Sequence, residues 1–244
     1  MVTYTEIQTD RRKCLALTGL TLAEFDHLLP AFTRSYELLY PTDRTLAGQP
    51  RQRPPGAGRK GALHPPEQKL LFLLVYLKTY PLQIVMAELF GLSQSSVNYW
   101  IQRLLPVLRH ALAAVGMLPE RDPGHFPQSQ PPEAREVGLI IDGTERRRQR
   151  PKSPEKQALH YSGKKKTHSD KNVVITGLQS QRIGFLSQTY AGKAHDKKIA
   201  DEEDLSFPPG TVLYKDTGFQ GYEPAGTETC QAKKKATRRP ANRG

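Results

Sequence analysis

Cysteine is nearly missing from this chain. Cys14 and Cys230 are the only two in 244 residues, in unlike contexts, with no CxxC and no Cys/His spacing of the kind a zinc site needs. A disulfide framework is therefore excluded, and two reduced thiols in a cytosolic protein are the expectation. Long apolar runs are missing too. The longest, Leu70 to Leu77, falls far short of the roughly 20 residues that cross a bilayer, and the opening MVTYTEIQTDRRK lacks the apolar core of a signal peptide. Acidic residues are in deficit, with 24 Asp and Glu against 36 Lys and Arg, a net charge of +12. Such a surface draws a polyanionic partner, because binding phosphates releases condensed counterions. Nucleic acid is the first candidate. An anionic membrane surface is the alternative, but no long basic amphipathic helix with an aromatic face is present. GxSxG, Walker-type and dinucleotide-binding glycine patterns are also absent, which argues against those enzyme classes.

Apolar residues make up 37% of the chain, and 20 prolines and 19 glycines interrupt them, so loops should separate two modest cores. From Tyr4 to Tyr40 the pattern is helical. Thr21 with Glu24 forms a capping box ahead of the stripe Leu22, Phe25, Leu28, Leu29, and Pro30 is expected to start a new turn. Pro41 to Pro66 loses periodicity and reads either as a solvated linker or as a basic arm on DNA through Arg51, Arg53, Arg59 and Lys60. Glu67 to Tyr80 is apolar nearly all round, as the central helix of an all-α core should be. Leu82 to Phe90, Gly91 as the residue ending that helix, Ser93 as N-cap and a further helix from Gln94 to about Ala113 make a helix-turn-helix pattern. Val97, Ile101, Leu104 and Leu108 supply its buried face. Gln94, Ser95, Asn98, Tyr99 and Arg103 remain for the outer face, where a helix-turn-helix meets base edges. An ordinary helical hairpin with a polar exterior is the competing reading.

Prolines between Leu118 and Arg135 mark a domain boundary, and strands follow at Val137 to Ile141, Asn172 to Leu178, Ile183 to Thr189 and Thr211 to Lys215, with a helix near Asp196 to Asp204. Two of the strands end alike. Each apolar run stops at an aspartate, Asp142 or Asp216, and passes into a glycine-containing turn. Side by side, the two carboxylates would be oxygen ligands for a hard dication such as Mg²⁺. Each is also an ordinary turn former. Glu145 could support Asp142 or pair with the arginines that follow it. Asp196 suits the first turn of its helix, and His195 suits a capping or packing role. Thr144 to Lys171 reads as a basic loop with ten Lys or Arg against three Asp or Glu, including Arg146, Arg147, Arg148, Arg150, Lys164, Lys165 and Lys166. Beginning beside Asp142, it is placed to grip backbone phosphates.

The strings LLFLLVYLKTYP, LFGLSQSSVNYW, LIIDGTE, EKQALHYSGKKKTHSDKNVVI, GKAHDKKIADE and DTGFQGY, in that order from about Leu46 to Tyr222, resemble bacterial insertion-sequence transposases of the DDE superfamily endonuclease type. The resemblance implies an α+β two-domain chain, with an N-terminal all-α helix-turn-helix domain and an incomplete ribonuclease-H-like α/β domain. The expected limits are a helical domain at 1–118 with its helix-turn-helix at about 67–113, a linker at 119–135, a catalytic domain at 136–230 and a basic tail at 231–244. It also implies that Asp142 and Asp216 are catalytic metal ligands, the first two of an Asp-Asp-Glu triad using Mg²⁺ or Mn²⁺. His195, Asp196 and Glu145 are then candidates to support them. Expected partners are double-stranded DNA and a further copy of the chain or full-length transposase, in the bacterial cytoplasm at the nucleoid, with no membrane. The third carboxylate, a glutamate, is expected well downstream of DTGFQGY, and Glu223 and Glu228 stand too close to replace it. The expectation is an upstream product of a split gene, slipping at Lys233 to Lys235, or else a decayed gene. A non-catalytic DNA-binding regulator of transposition is the alternative function.

Overall fold

The computed structural model describes residues 1–44, 48–51, 61–126 and 138–231. The chain divides into two compact units, Met1–Leu118 and Pro119–Gly244. Arg53, Arg59 and Lys60 of the expected basic arm, Val137 of the expected first strand, and the tail with Lys233 to Lys235 lie outside the described residues.

The first unit is helical: α1 (Tyr4–Thr9), α2 (Arg11–Thr18), α3 (Leu22–Leu39), α4 (Pro66–Thr79), α5 (Gln83–Phe90) and α6 (Gln94–Ala114). The expected capping box opens α3, with Thr21 N–H donating to Glu24 Oε2 at 2.7 Å and Glu24 N–H donating to Thr21 Oγ1. Pro30 does not start a new turn. The helix runs through it to Leu39, because Phe25, Leu28, Ala31 and Phe32 on both sides of it are anchored in the core. The carbonyl that proline cannot pair belongs to Asp26, an exposed residue.

Helix α4 buries Leu70, Leu71, Phe72, Leu73, Leu74 and Val75 in succession. Each large apolar side chain so buried contributes roughly 1.5–3 kcal/mol. Between α5 and α6, Gly91 takes the left-handed conformation at φ 63° and its N–H closes the helix on the Ala87 carbonyl. Ser93 then accepts from Ser96 N–H to cap α6. Val97, Ile101, Leu104 and Leu108 are all buried, as the spacing predicts.

The second unit is a mixed sheet with helices: β1 (Gly138–Arg147), α7 (Pro154–His160), β2 (Tyr161–Ser162), β3 (Thr167–Gly177), β4 (Ile183–Leu186), β5 (Tyr190–Ala191), α8 (Asp196–Glu203), β6 (Thr211–Lys215), a 3₁₀ turn (Thr217–Phe219) and β7 (Thr227–Gln231). Its spine runs β2-β3-β1-β6-β7, with β4 and β5 also on β3. β3 lies antiparallel to β1, while β1, β6 and β7 are mutually parallel. A ribonuclease-H-like reading required the two aspartate-bearing strands to be neighbours, and β1 and β6 are. Among the described residues no helix is long and apolar enough to cross a membrane.

Strand alternation sends Leu139, Ile141, Val173, Ile175 and Leu213 to one side, where they pack with Ile199 and Ala200 of α8 and with Phe185, Phe207 and Phe219. The start of the expected linker belongs to this unit. Glu120 bridges to the sheet beside Phe185, exchanging hydrogen bonds with Gly184 and Leu186, and Phe126 is buried against Phe185 and Phe207. A phenylalanine among prolines gains more from that core than from solvent.

Two expectations about the first aspartate are corrected. β1 does not stop at Asp142: it continues to Arg147, still paired to β3 from Asp142↔Val174 through Arg147↔Ser169. Nor is Thr144 to Lys171 a loop, because it supplies the end of β1, α7, β2 and the start of β3. Charged residues are poor strand formers alone, but the antiparallel partner extends the ladder and sets unlike charges opposite one another, as at Glu145↔Lys171 and Arg146↔Asp170.

Candidate active site

The parallel ladder between β1 and β6 ends at Ile141↔Lys215. One residue further, Asp142 and Asp216 stand at equivalent places on neighbouring strands, where chains in a sheet run about 5 Å apart. Both are exposed. Asp142 Oδ1 accepts from Gly143 N–H and Asp216 Oδ1 from Gly218 N–H, each at 2.8 Å. Asp216 thereby caps the 3₁₀ turn. These bonds aim the two carboxylates while leaving oxygen lone pairs for another partner.

Two openings meet at this edge. On one face of the sheet, Asp142 and Asp216 line an open groove of about 640 Å³ with Ile140, Tyr214, Leu178 and Gln231. On the α8 side, a second cleft of about 390 Å³ runs from Asp216 and Asp196 past Lys171 and Lys193 to Lys164. Lys164 thus comes from the basic stretch to the carboxylate edge.

Asp196 is the first residue of α8, after His195 at the N-cap position, whose side chain makes no capping bond. The Asp196 carboxylate lies under the glycines that follow both aspartates. A Cβ on Gly143 would fall 2.6 Å from Asp196 Oδ1, and one on Gly218 would fall 2.8 Å from Oδ2. Lys171 Nζ stands 3.0 Å from Oδ1 and donates to the Ala194 carbonyl at 2.9 Å.

Glu145 is turned away from the arginines that follow it. It accepts from Ser169 Oγ. Burial raises its carboxyl pKa, but hydrogen bonds from Ser162 and Ser169 and the charges of Lys171 and Lys165 outweigh that and hold it below the usual glutamate range. Glu223 is occupied by the buried Lys215 and by Thr229.

The basic stretch divides by use. Arg146 donates to Asn172, Arg148 to Asp170 beside His160, and Arg150 to Gln157, so three guanidiniums brace the second unit. Arg147, Lys164, Lys165 and Lys166 are exposed, the lysines at the turn into β3. On α6, Gln94, Ser95, Asn98 and Tyr99 are exposed, and Asn98 accepts from Gln83. Arg103 differs from them: its guanidinium stacks 3.5 Å over Tyr40 and lies near Tyr36 and Tyr99, within the α3 side of the bundle.

A family model described as the helix-turn-helix of DDE superfamily endonuclease matches residues 61–114, and one described as DDE superfamily endonuclease matches residues 141–243. The chain belongs to the DDE superfamily of endonucleases. No curated protein and no solved structure matches it. In this DDE-superfamily chain the first match takes in α4, α5 and α6, and the second starts one residue before Asp142. Reading the sequence missed Lys171 and Lys193, which look like two more basic residues among many. Nothing in the sequence marks Lys171, because the register that sets it across from Glu145 and the fold that brings it to Asp196 are both tertiary.

The donor chemistry fits a hard dication. Two exposed carboxylates project from adjacent strands, and the glycines after them admit the Asp196 carboxylate close to that edge. Among the described residues, no three His, Cys, Asp or Glu side chains already converge as a metal cluster.

Proposed function

We propose that this chain is a transposase of the insertion-sequence type, which binds double-stranded element-end DNA through α6 and, with a complete carboxylate set, cuts and joins strands. The observation that carries the reading is the β1/β6 register, which sets Asp142 and Asp216 on adjacent strands beside a lysine-lined cleft. Mg²⁺ or Mn²⁺ held there would stabilise the attacking and leaving oxygens of an in-line phosphodiester displacement. Asp142 and Asp216 would hold the ion. Lys164 and Lys193 would position the phosphate, and Gln94, Ser95, Asn98 and Tyr99 would meet the major groove. Arg103, stacked on Tyr40, would hold α6 in place.

A second reading is favoured by the convergence of two aspartates without a third metal-binding side chain among the described residues. It makes the chain a DNA-binding regulator that occupies element ends, alone or with another copy or full-length transposase. A Mg²⁺-dependent nicking assay on element-end duplex separates the two. Nicking by the wild type that is lost in Asp142→Asn supports the enzyme. DNA binding by both without nicking supports the regulator, and DNA binding by neither overturns both.

A further inference from the structure

We infer that Asp196 and Lys171 are a positioning pair that sets the gap between Asp142 and Asp216, an inference that rests on reading those two as the metal-holding carboxylates. Three observations carry it. First, one side chain touches both aspartate segments: a Cβ on Gly143 would meet Asp196 Oδ1 at 2.6 Å, and one on Gly218 would meet Oδ2 at 2.8 Å. Second, neither glycine has the positive φ that would require glycine for backbone reasons. The missing side chains therefore make room, and what fills the room is the Asp196 carboxylate. Third, Asp196 is oriented from behind. Lys171 Nζ lies 3.0 Å from Oδ1, with the two side chains only 12% and 19% exposed, and Lys171 is held in turn by the Ala194 carbonyl.

A first-turn acid that served only the helix dipole would gain as much in solvent. Here Oδ1 is shut off from solvent and, despite the ion-pair distance to Lys171, makes no hydrogen bond of sound geometry. Holding a charge so placed costs stability unless its position serves something. Wedged between the strand ends, it spaces the two carboxylates. Its negative charge also adds to the field that draws a dication to the edge.

The test is Mn²⁺ binding to the full chain, followed by electron paramagnetic resonance, in wild type, Asp142→Asn, Asp196→Ala, Lys171→Met, Gly143→Ala and the double variant Gly143→Ala/Asp196→Ala. Asp142→Asn should abolish site binding. Asp196→Ala and Lys171→Met should weaken it about 10-fold or more, the usual effect of residues that orient ligands. Gly143→Ala should weaken binding by pushing on Asp196, and so should have no further effect once Asp196 is alanine. A merely structural Asp196 would not give that non-additivity. Normal Mn²⁺ affinity in Asp196→Ala, beside loss in Asp142→Asn, overturns the positioning pair and leaves the metal site standing. Additive losses in the double variant also overturn it. No Mn²⁺ binding by wild type overturns the metal site and the pair together. Should Asp196→Ala fail to fold, Lys171→Met and Gly143→Ala decide alone: normal affinity in both overturns the pair.

Discussion

Glu145 carries two opposed influences, and their balance makes a prediction at the scale of one residue. Burial disfavours its charge, while Ser162, Ser169 and the nearby lysines favour it and prevail. The folded chain therefore holds this carboxyl ionised to lower pH than the unfolded chain does. The resulting stabilisation is present above the unfolded glutamate pKa and is lost as pH falls through the folded value. Glu145→Gln should thus be less stable than wild type near neutrality, with the gap closing through the acid range. Chemical unfolding followed by circular dichroism at a series of pH values checks this, and a gap constant with pH counts against it. Asp142→Asn makes the complementary prediction for chemistry: unchanged DNA affinity in a mobility-shift titration, with any metal-dependent nicking lost.

Among the elements, α3 and α4 depend on different forces. The start of α3 rests on the reciprocal Thr21–Glu24 bonds. Thr21→Ala should destabilise the first unit by about 1 kcal/mol, the usual cost of losing an N-cap, read as a lowered denaturation midpoint. Phe72 on α4 is fully buried and meets Phe90 edge-on at 5.1 Å. Phe72→Ala leaves a cavity and should cost about 3–5 kcal/mol, measured by urea unfolding. In these elements the sequence pattern and the fold agree, since capping and helical spacing are local. Pro30 and Asp142 are where local reasoning stopped short. A helix passes through a proline when both flanks are anchored in a core, and a strand passes through an aspartate when an antiparallel neighbour extends the ladder. Neither neighbour is adjacent in sequence.

For the whole molecule, the excess of positive charge predicts salt-dependent DNA binding. The logarithm of affinity should fall linearly with the logarithm of salt concentration, by about 0.9 for each phosphate neutralised. Replacing Lys164, Lys165 and Lys166 with glutamine should flatten that slope by about 0.9 for each lysine that meets a phosphate. Replacing Arg146, Arg148 and Arg150 should chiefly reduce stability of the second unit, because those guanidiniums bind Asn172, Asp170 and Gln157. Fluorescence anisotropy across a salt series, with parallel melting curves, distinguishes the two groups. An unchanged slope in the lysine variant removes that turn from the DNA interface.

What the sequence determined by itself was the helical first half with two helices joined by a glycine-containing turn, the change to strands after the prolines, and the two aspartates that follow apolar runs. Periodicity, caps and turn residues act over a few neighbours, so they can be read along the chain. Tertiary structure alone decided which charges do what. Nine arginines and lysines look alike between Arg146 and Lys166, yet Arg146, Arg148 and Arg150 brace the second unit while Lys164, Lys165 and Lys166 stay exposed at a turn. Asp196 reads as a helix-starting acid, yet it lies beneath Gly143 and Gly218 with Lys171 behind it. The physical reason is that a charge takes its role from what surrounds it in space, and here those surroundings come from strands far apart in sequence.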